Sequence, residues 1–361
     1  MTYLERLKAV IIKIDASLVD FDKERSRGNP PTQVSSEFLT NKEQGDWAEK
    51  TLLNAINKNS EQYIAVKYGR DDDIVAGDDN FYKFYEEYQN ELDEIGKRPD
   101  ILIFNRSDFQ FDTYNISNFS RKDLDMLVPK AKCGIEVRSS AFLFEEYEAF
   151  MNEKQQELLH EALELKQKIL ERYGELLLKK NCKLHKIIYD LSSENLRIIN
   201  FRCPSWKKTE QLADLSLCLK ELKQVISKMN KRTFLSITPK VEDLKLVYAW
   251  VKKYKVPHFY VQVFFDKAYG ISFEKILSLI SSPELEGIEY FVESDIKNQN
   301  KTTIKIHTSK ANNVLEKINI PEHFSEAKKL GRGRLLFYVK FKDSISSLNK
   351  ESFENLFGFK L

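Results

Sequence analysis

Cysteine is scarce and poorly spaced for chemistry. Cys133, Cys182, Cys203 and Cys218 form no CxxC pair, which excludes a zinc ribbon and a disulfide framework. Cys182 and His185 are spaced as two zinc ligands would be, but no second pair lies at finger distance, so a core cysteine and a surface histidine are the plainer account. A reducing cytoplasm is the expected setting. No run of about 18 apolar residues occurs, so no membrane span is expected, and the opening Met1-Thr2-Tyr3-Leu4-Glu5-Arg6 lacks a signal-peptide pattern. No glycine-rich phosphate loop follows a predicted strand, which disfavours a metabolic α/β enzyme. Internal repeats and low-complexity segments are missing as well. Net charge is small: 57 basic against 55 acidic residues leave +2. That excludes a protein that coats nucleic acid by charge alone, though not a selective one with local basic patches.

What is present is a chain of 361 residues, 42% apolar and 12% aromatic, enough for one large domain or two with a sizeable core. Its most informative stretch runs from Arg98 to Ser140. In Arg98-Pro99-Asp100-Ile101-Leu102-Ile103-Phe104, a proline and an acid precede four apolar residues that read as a buried strand. In Gly134-Ile135-Glu136-Val137-Arg138-Ser139-Ser140, Ile135 and Val137 alternate with Glu136 and Arg138, so a strand here buries one pair and presents the charged pair on its other face. An acid at the mouth of one strand and an acid on the next are hard oxygen ligands for Mg²⁺. With a cation beside them they are the working parts of metal-dependent phosphodiester hydrolysis. The bland account of the same residues is a turn and a half-solvated strand face.

Along the rest of the chain, residues 3 to 21 carry apolar positions at helical spacing. The loop Arg25 to Gln33 exposes Lys23, Arg25 and Arg27, as solvation or as a phosphate-contacting arm. Thr40-Asn41-Lys42-Glu43 is a capping box that opens a helix with Trp47, Thr51 or Leu52, and Ala55 facing the core and Glu49 at the edge of that face. By its place on the helix Glu49 reads as an ordinary exposed glutamate. Gln62 to Val66 reads as a strand, and Asp71-Asp72-Asp73 as an acidic turn without EF-hand spacing. The helix Phe81 to Ile95 carries Phe81, Tyr82, Phe84, Tyr85 and Tyr88, a base-stacking set or core packing. Residues 105 to 130 form a polar insertion long enough to be a flap over DNA. Glu145 to Lys180 is a long helical pattern with possible breaks near Asn152 or Gly174 and a possible dimer contact. Lys186 to Tyr189 and Arg197 to Phe201 read as strands, and Thr209 to Asn230 and Val241 to Lys253 as helices. His258 to Asp266 reads as a buried strand followed by a helix from Gly270, an order that extends an α/β core. Further strands are expected at Ile288 to Val292, Thr303 to His307 and Arg334 to Phe341.

Five blocks taken in order, Thr40 to Glu49, Lys97-Arg98-Pro99-Asp100, Ile135 to Ser140, Thr238-Pro239-Lys240-Val241-Glu242-Asp243 and Gly331-Arg332-Gly333-Arg334-Leu335, resemble the AccI family of type II restriction endonucleases. The two acids and the cation resemble the PD-(D/E)xK motif, with Arg138 where lysine is usual. The resemblance covers about residues 35 to 341. It implies an α/β fold with a restriction-endonuclease-like core, a mixed central sheet flanked by helices, plus additional helical and C-terminal mixed elements. The expected organisation is an N-terminal helix and arm (1–40), a nuclease core (41–280) with a helical insertion at about 145–180, and a mixed C-terminal segment (281–361) packed on the core and contacting DNA.

The implied activity is Mg²⁺-dependent, sequence-specific cleavage of both strands of duplex DNA, leaving 5′-phosphate and 3′-hydroxyl ends. A homodimer is expected, with a cognate DNA methyltransferase as functional counterpart and no membrane association. Asp100 and Glu136 would ligate Mg²⁺, with Glu49 assisting directly or through water. Arginine stays charged at accessible pH, so Arg138 can position water or stabilise phosphorane-like charge but not act as base. Lys240 is the nearest alternative for a lysine role. Expected DNA contacts are Ser139, Ser140, Lys240, Arg332 and Arg334, the last two on a loop whose glycines let backbone approach a phosphate. The rivals are a structure-specific repair nuclease and a non-catalytic DNA-binding protein of the same fold. Two intact, mutually repelling carboxylates weigh against the second.

Overall fold

Ile101 to Phe104 are apolar on both sides of the backbone, and all four are buried. A strand of that kind belongs inside a sheet covered on both faces. The structure, a computed structural model, describes residues 1–70, 74–295 and 301–360, without the side chains of Asp295 and Arg332. Asp71-Asp72-Asp73 therefore lies outside the described residues.

Among the described residues, seven strands form one mixed sheet. In spatial order they are β1 (Tyr63–Lys67), β2 (Ile101–Asn105), β3 (Cys133–Ser139), β5 (His258–Val263), β6 (Ala268–Ser272), β9 (Asn312–Ile318) and β12 (Ser346–Leu348). The pair β3 and β5 is parallel and the other neighbours are antiparallel. Side-chain alternation splits the core in two. Ile101, Ile103, Ile135, Val137, Phe259 and Val261 pack with α2 (Ser36–Asn59) and α10 (Lys350–Phe357) on one side. Leu102, Phe104 and Tyr260 pack with α1 (Tyr3–Ile11), α8 (Val241–Tyr254) and α9 (Phe273–Ile280) on the other. Short β4 (Ser236–Ile237) joins β7 (Tyr290–Asp295) and β8 (Lys301–His307) in a second sheet. β10 (His323–Lys329) and β11 (Leu335–Phe341) pair as a hairpin.

Residues 1–144 and 235–361 make one compact unit and residues 145–234 another. The second unit is helical. Its α5 (Phe144–Lys180), α6 (Cys182–Tyr189) and α7 (Glu210–Met229) share a core of Ala162, Ile169, Leu184, Ile188, Leu219 and Leu222, among others. No described helix is long and apolar enough to cross a membrane.

Several local expectations change. The first helix stops at Ile11, because Asp15 accepts from the backbone of Ser17 and starts a turn; Ile14 and Val19 still reach the core. Helix α2 starts earlier than its internal Thr-x-x-Glu pattern implies, capped by Ser35, and the Thr40 hydroxyl instead accepts from the Val339 backbone on β11. Lys186 to Tyr189 lies in α6 and Arg197 to Phe201 in turns and coil, since short apolar runs suit a buried helix face as well as a strand. Helix α5 runs unbroken for 37 residues, about 55 Å. Gly174 meets no neighbour within 4 Å. Cys182 is exposed. Arg25 and Arg27 are tied to Asp93 of α3 (Phe81–Ile95) rather than free as an arm. The segment between β2 and β3, with α4 (Arg121–Leu127), sinks Phe109, Ile116, Leu124 and Val128 into the core. It leaves β2 at Asn105, the opposite strand end from Asp100, and runs back to the acidic end, where Lys67 bonds the backbone of Tyr114 and Ile116 and Arg98 donates to the Ser117 carbonyl.

Gly96 ends α3 at φ +79°, and a Cβ there would collide with the Leu246 carbonyl of α8. The close approach lets Lys97 donate its backbone N–H to that same carbonyl at 3.0 Å. Gly96→Ala combines a positive-φ strain with a backbone clash and should destabilise the first unit by at least about 2 kcal/mol, read as a lower denaturation midpoint in urea.

Candidate active site

The register Ile101↔Ile135 brings Asp100, just before β2, beside Glu136 on β3. Asp100 is fixed by its backbone and its side chain. Its carbonyl accepts from the Tyr68 and Gly69 amides at 2.8 and 2.9 Å, and its Oδ2 accepts from the Val137 amide at 2.6 Å. A Cβ at Gly69 would stand 3.0 Å from the Asp100 Cα and 3.1 Å from its Oδ1, so a side chain there would crowd the acid and glycine spares it that contact. Glu136 is only 2% exposed. It points to the face covered by α8, and a buried carboxylate requires partners.

Those partners form a closed ring of charge. Glu136 Oε1 takes Lys97 Nζ at 2.6 Å and Arg138 Nη2 at 2.9 Å. Asp243 Oδ2, in the first turn of α8, takes the same two cations at 2.7 Å each. The second oxygen of Glu136, Oε2, is buried with no hydrogen-bond partner.

A cleft of about 480 Å³ opens on this ring. It is lined by Asp100, Glu136, Arg138, Glu49, Ser139 and Lys240, together with Lys97. Six of the nine expected site residues thus meet in one place. Ser140 does not join them; its backbone N–H donates to the Val263 carbonyl. Arg334 donates to Gln33 and lines an adjoining hollow that shares Phe38 and Tyr88 with the cleft. Of the aromatic set on α3, Phe81 is buried in a small cluster while Phe84, Tyr85 and Tyr88 line that hollow. Arg332 lies in the Gly331–Gly333 turn, its side chain outside the description. A larger hollow, about 1180 Å³, lies at the other end of β2 and contains none of these charged residues.

The electrostatics raise two acids, Asp100 and Glu49, and against burial lower a third, Asp243, through the charges of Lys97 and Arg138, which themselves stay charged. Burial and the neighbouring Glu136 push Asp100 up to about 8. Burial, then the charge of Asp100, lifts Glu49 well above the usual carboxylate range. Burial and the Arg138 charge oppose protonation of Lys97, but Asp243 and Glu136 outweigh them and hold its ammonium above the ordinary lysine range. Arg138 is likewise held charged against burial, by Glu136 and Asp243. Lys240 goes the other way, since burial and the adjacent Arg138 lower its pKa.

This donor set suits a hard divalent cation. Asp100 and the unclaimed Oε2 of Glu136 offer oxygens, and Asp100, a buried acid with a raised pKa beside a second carboxylate, is relieved by a cation. Among the described residues no three His, Cys, Asp or Glu side chains are grouped closely enough to hold a metal by themselves. Two carboxylates plus water and substrate oxygens are the usual Mg²⁺ environment. Sequence reasoning missed Lys97 and Asp243 as site residues. Both stand in motif blocks beside residues that were singled out, but a contact across 146 positions leaves no mark in local spacing.

A family model described as AccI restriction endonuclease matches residues 1–360. Neither a curated protein nor a solved structure matches the chain.

Because Asp100 binds its proton more tightly folded than unfolded, the native state holds the extra proton between the ordinary aspartate range and about 8, and stability falls as pH rises through that window. Asp100→Asn should therefore raise the melting temperature of metal-free protein at pH 8 by about 2 °C or more, and flatten its decline between pH 5 and 8. Scanning calorimetry in EDTA reads both effects.

Proposed function

The chain belongs to the AccI restriction endonuclease family, and from that premise we propose that it is a Mg²⁺-dependent type II enzyme cutting both strands of duplex DNA at a short sequence, leaving 5′-phosphate and 3′-hydroxyl ends. The observation that carries this reading is Asp100 beside Glu136 on adjoining strands, with Arg138 two residues further along, in one cleft.

Asp100 and Glu136 would hold the cation, with Glu49 assisting directly or through water. When bound, Mg²⁺ supplies a Lewis acid that makes hydroxide available near neutral pH and neutralises phosphate charge. Arg138, fixed by Glu136 and Asp243 and permanently charged, stabilises the charge that builds on the phosphate in the transition state. Lys240 is the lysine in the cleft whose pKa is lowered, by burial and then the adjacent Arg138, which makes it the cleft lysine best suited to accept a proton from the attacking water. The two duties of the motif's usual lysine are thereby split between two residues. Ser139 and Ser140 follow the acidic strand toward the backbone of the DNA. Lys240 lines the cleft and Arg334 its neighbouring hollow, and with Arg332 they are the cations proposed to contact DNA. One such centre cuts one strand, so a homodimer, each copy acting on one strand, accounts for a double-strand cut. A cognate methyltransferase would protect the host sequence. The cytoplasm, where the chromosome and incoming DNA meet, is the compartment this activity requires.

Incubating the pure protein with a long duplex of known sequence, in Mg²⁺ and in EDTA, tests the reading. Discrete fragments only with Mg²⁺ are expected. Uncut DNA under every divalent metal would leave a non-catalytic DNA-binding protein, and cutting confined to flaps or mismatches a repair nuclease.

Arg138→Ala should lose most cleavage while retaining sequence-specific binding in a gel-shift assay. Lys240→Met should lower the single-turnover rate by about 10²-fold or more and remove the rise of that rate with pH; an unchanged pH profile would take the base role from Lys240.

A further inference from the structure

Asp243 has no part in the two-acid motif, yet it shares both cations that contact Glu136. It sits in the first turn of α8, where the helix N-terminus favours a carboxylate. One turn further along, the Leu246 carbonyl takes the backbone N–H of Lys97, so α8 sets both ends of the Lys97–Asp243 contact. Arg138 uses a single nitrogen, Nη2, for Glu136 and Asp243 together, and its Nε is buried with no partner. The fork that could grip one carboxylate with two parallel bonds is thus held open.

Resting on the nuclease reading above, we infer that Asp243 is a positioning residue for the metal: by sharing Lys97 and Arg138, it confines both cations to Glu136 Oε1 and leaves Oε2 available as a ligand. Two cations against Glu136 alone carry an excess positive charge. Without Asp243 they would close over both of its oxygens, Arg138 by its fork and Lys97 by its ammonium, and compete directly with a divalent ion. Asp243 halves their pull on Glu136 and draws them to its own side. The ring therefore carries no net charge before the metal arrives, and the positive charge left by Asp243's removal would repel the ion.

The test is Mn²⁺ affinity, measured by titration calorimetry on the full-length protein without DNA, in wild type, Asp243→Asn, Asp243→Glu, Lys97→Gln and the Asp243→Asn/Lys97→Gln double variant. Asp243→Asn is expected to weaken Mn²⁺ by at least about 10-fold, and Asp243→Glu to recover part of that loss. Lys97→Gln alone should tighten binding. The double variant, with one cation and one acid removed together, should return to within about 3-fold of wild type, a compensation that a merely structural role for Asp243 would not produce. Wild-type affinity in Asp243→Asn, or additive losses in the double variant, would overturn the inference while leaving the nuclease reading intact. Wild-type protein that binds no Mn²⁺ would overturn the nuclease reading, and the inference with it. If Asp243→Asn fails to fold, Lys97→Gln decides: tighter binding supports the sharing of cations, and unchanged or weaker binding refutes it.

Discussion

A buried glutamate beside a second acid is the constraint around which this protein is built. Glu136 cannot be withdrawn from water next to Asp100 unless positive charge is supplied at contact distance, and Lys97 and Arg138 supply it. Two cations would overcompensate one acid, and Asp243 restores the balance from another element. Each member of the ring has a different structural origin: a loop after α3, the strand β3, and the first turn of α8. The ring therefore exists only when these elements are assembled. Loss of any one member would leave an uncompensated charge in a place water reaches poorly, a larger penalty than the ring's own attraction would suggest.

The scaffold is arranged to keep that assembly tight. Asp100 is held by two backbone donors to its carbonyl and one to its carboxylate, and Gly69 leaves just enough room for it. Gly96 lets the loop touch α8, and the sheet's alternation sends Ile135 and Val137 into one core and Glu136 toward the other. Helix α2, capped by Ser35 and anchored to the hairpin through Thr40, carries Glu49 to the same cleft from the opposite side of the sheet. Rigid strand ends thus carry the acids, while helices from both layers bring the remaining charges. Such an arrangement resists ionisation of Asp100 and Glu49, and a bound cation is the natural way to relieve it.

Much of this was legible in the residues. The strands β2, β3 and β5 followed from apolar runs bounded by proline, glycine and charge, and the alternation of Glu136 and Arg138 with Ile135 and Val137 predicted which pair the core would take. The α/β class and the order of the family blocks are sequence properties too, because they depend on local pattern and chain order alone. Helix starts and short apolar runs were less legible. Ser35 caps α2 although Thr40 also has the capping spacing, and Lys186 to Tyr189 is helical because its helical unit buries Leu184 and Ile188 on one face, a choice made by tertiary neighbours.

The sequence by itself determined the two acids, their strands and the arginine that follows, since strand periodicity of two residues fixes which side chains share a face. Tertiary structure alone decided that Lys97 and Asp243 complete the site, that Glu136 turns inward and not to solvent, and that Lys240 is the lysine made easier to deprotonate. The reason is physical: charge and burial act through space, over a few ångströms between residues more than a hundred positions apart, and no local pattern carries that distance.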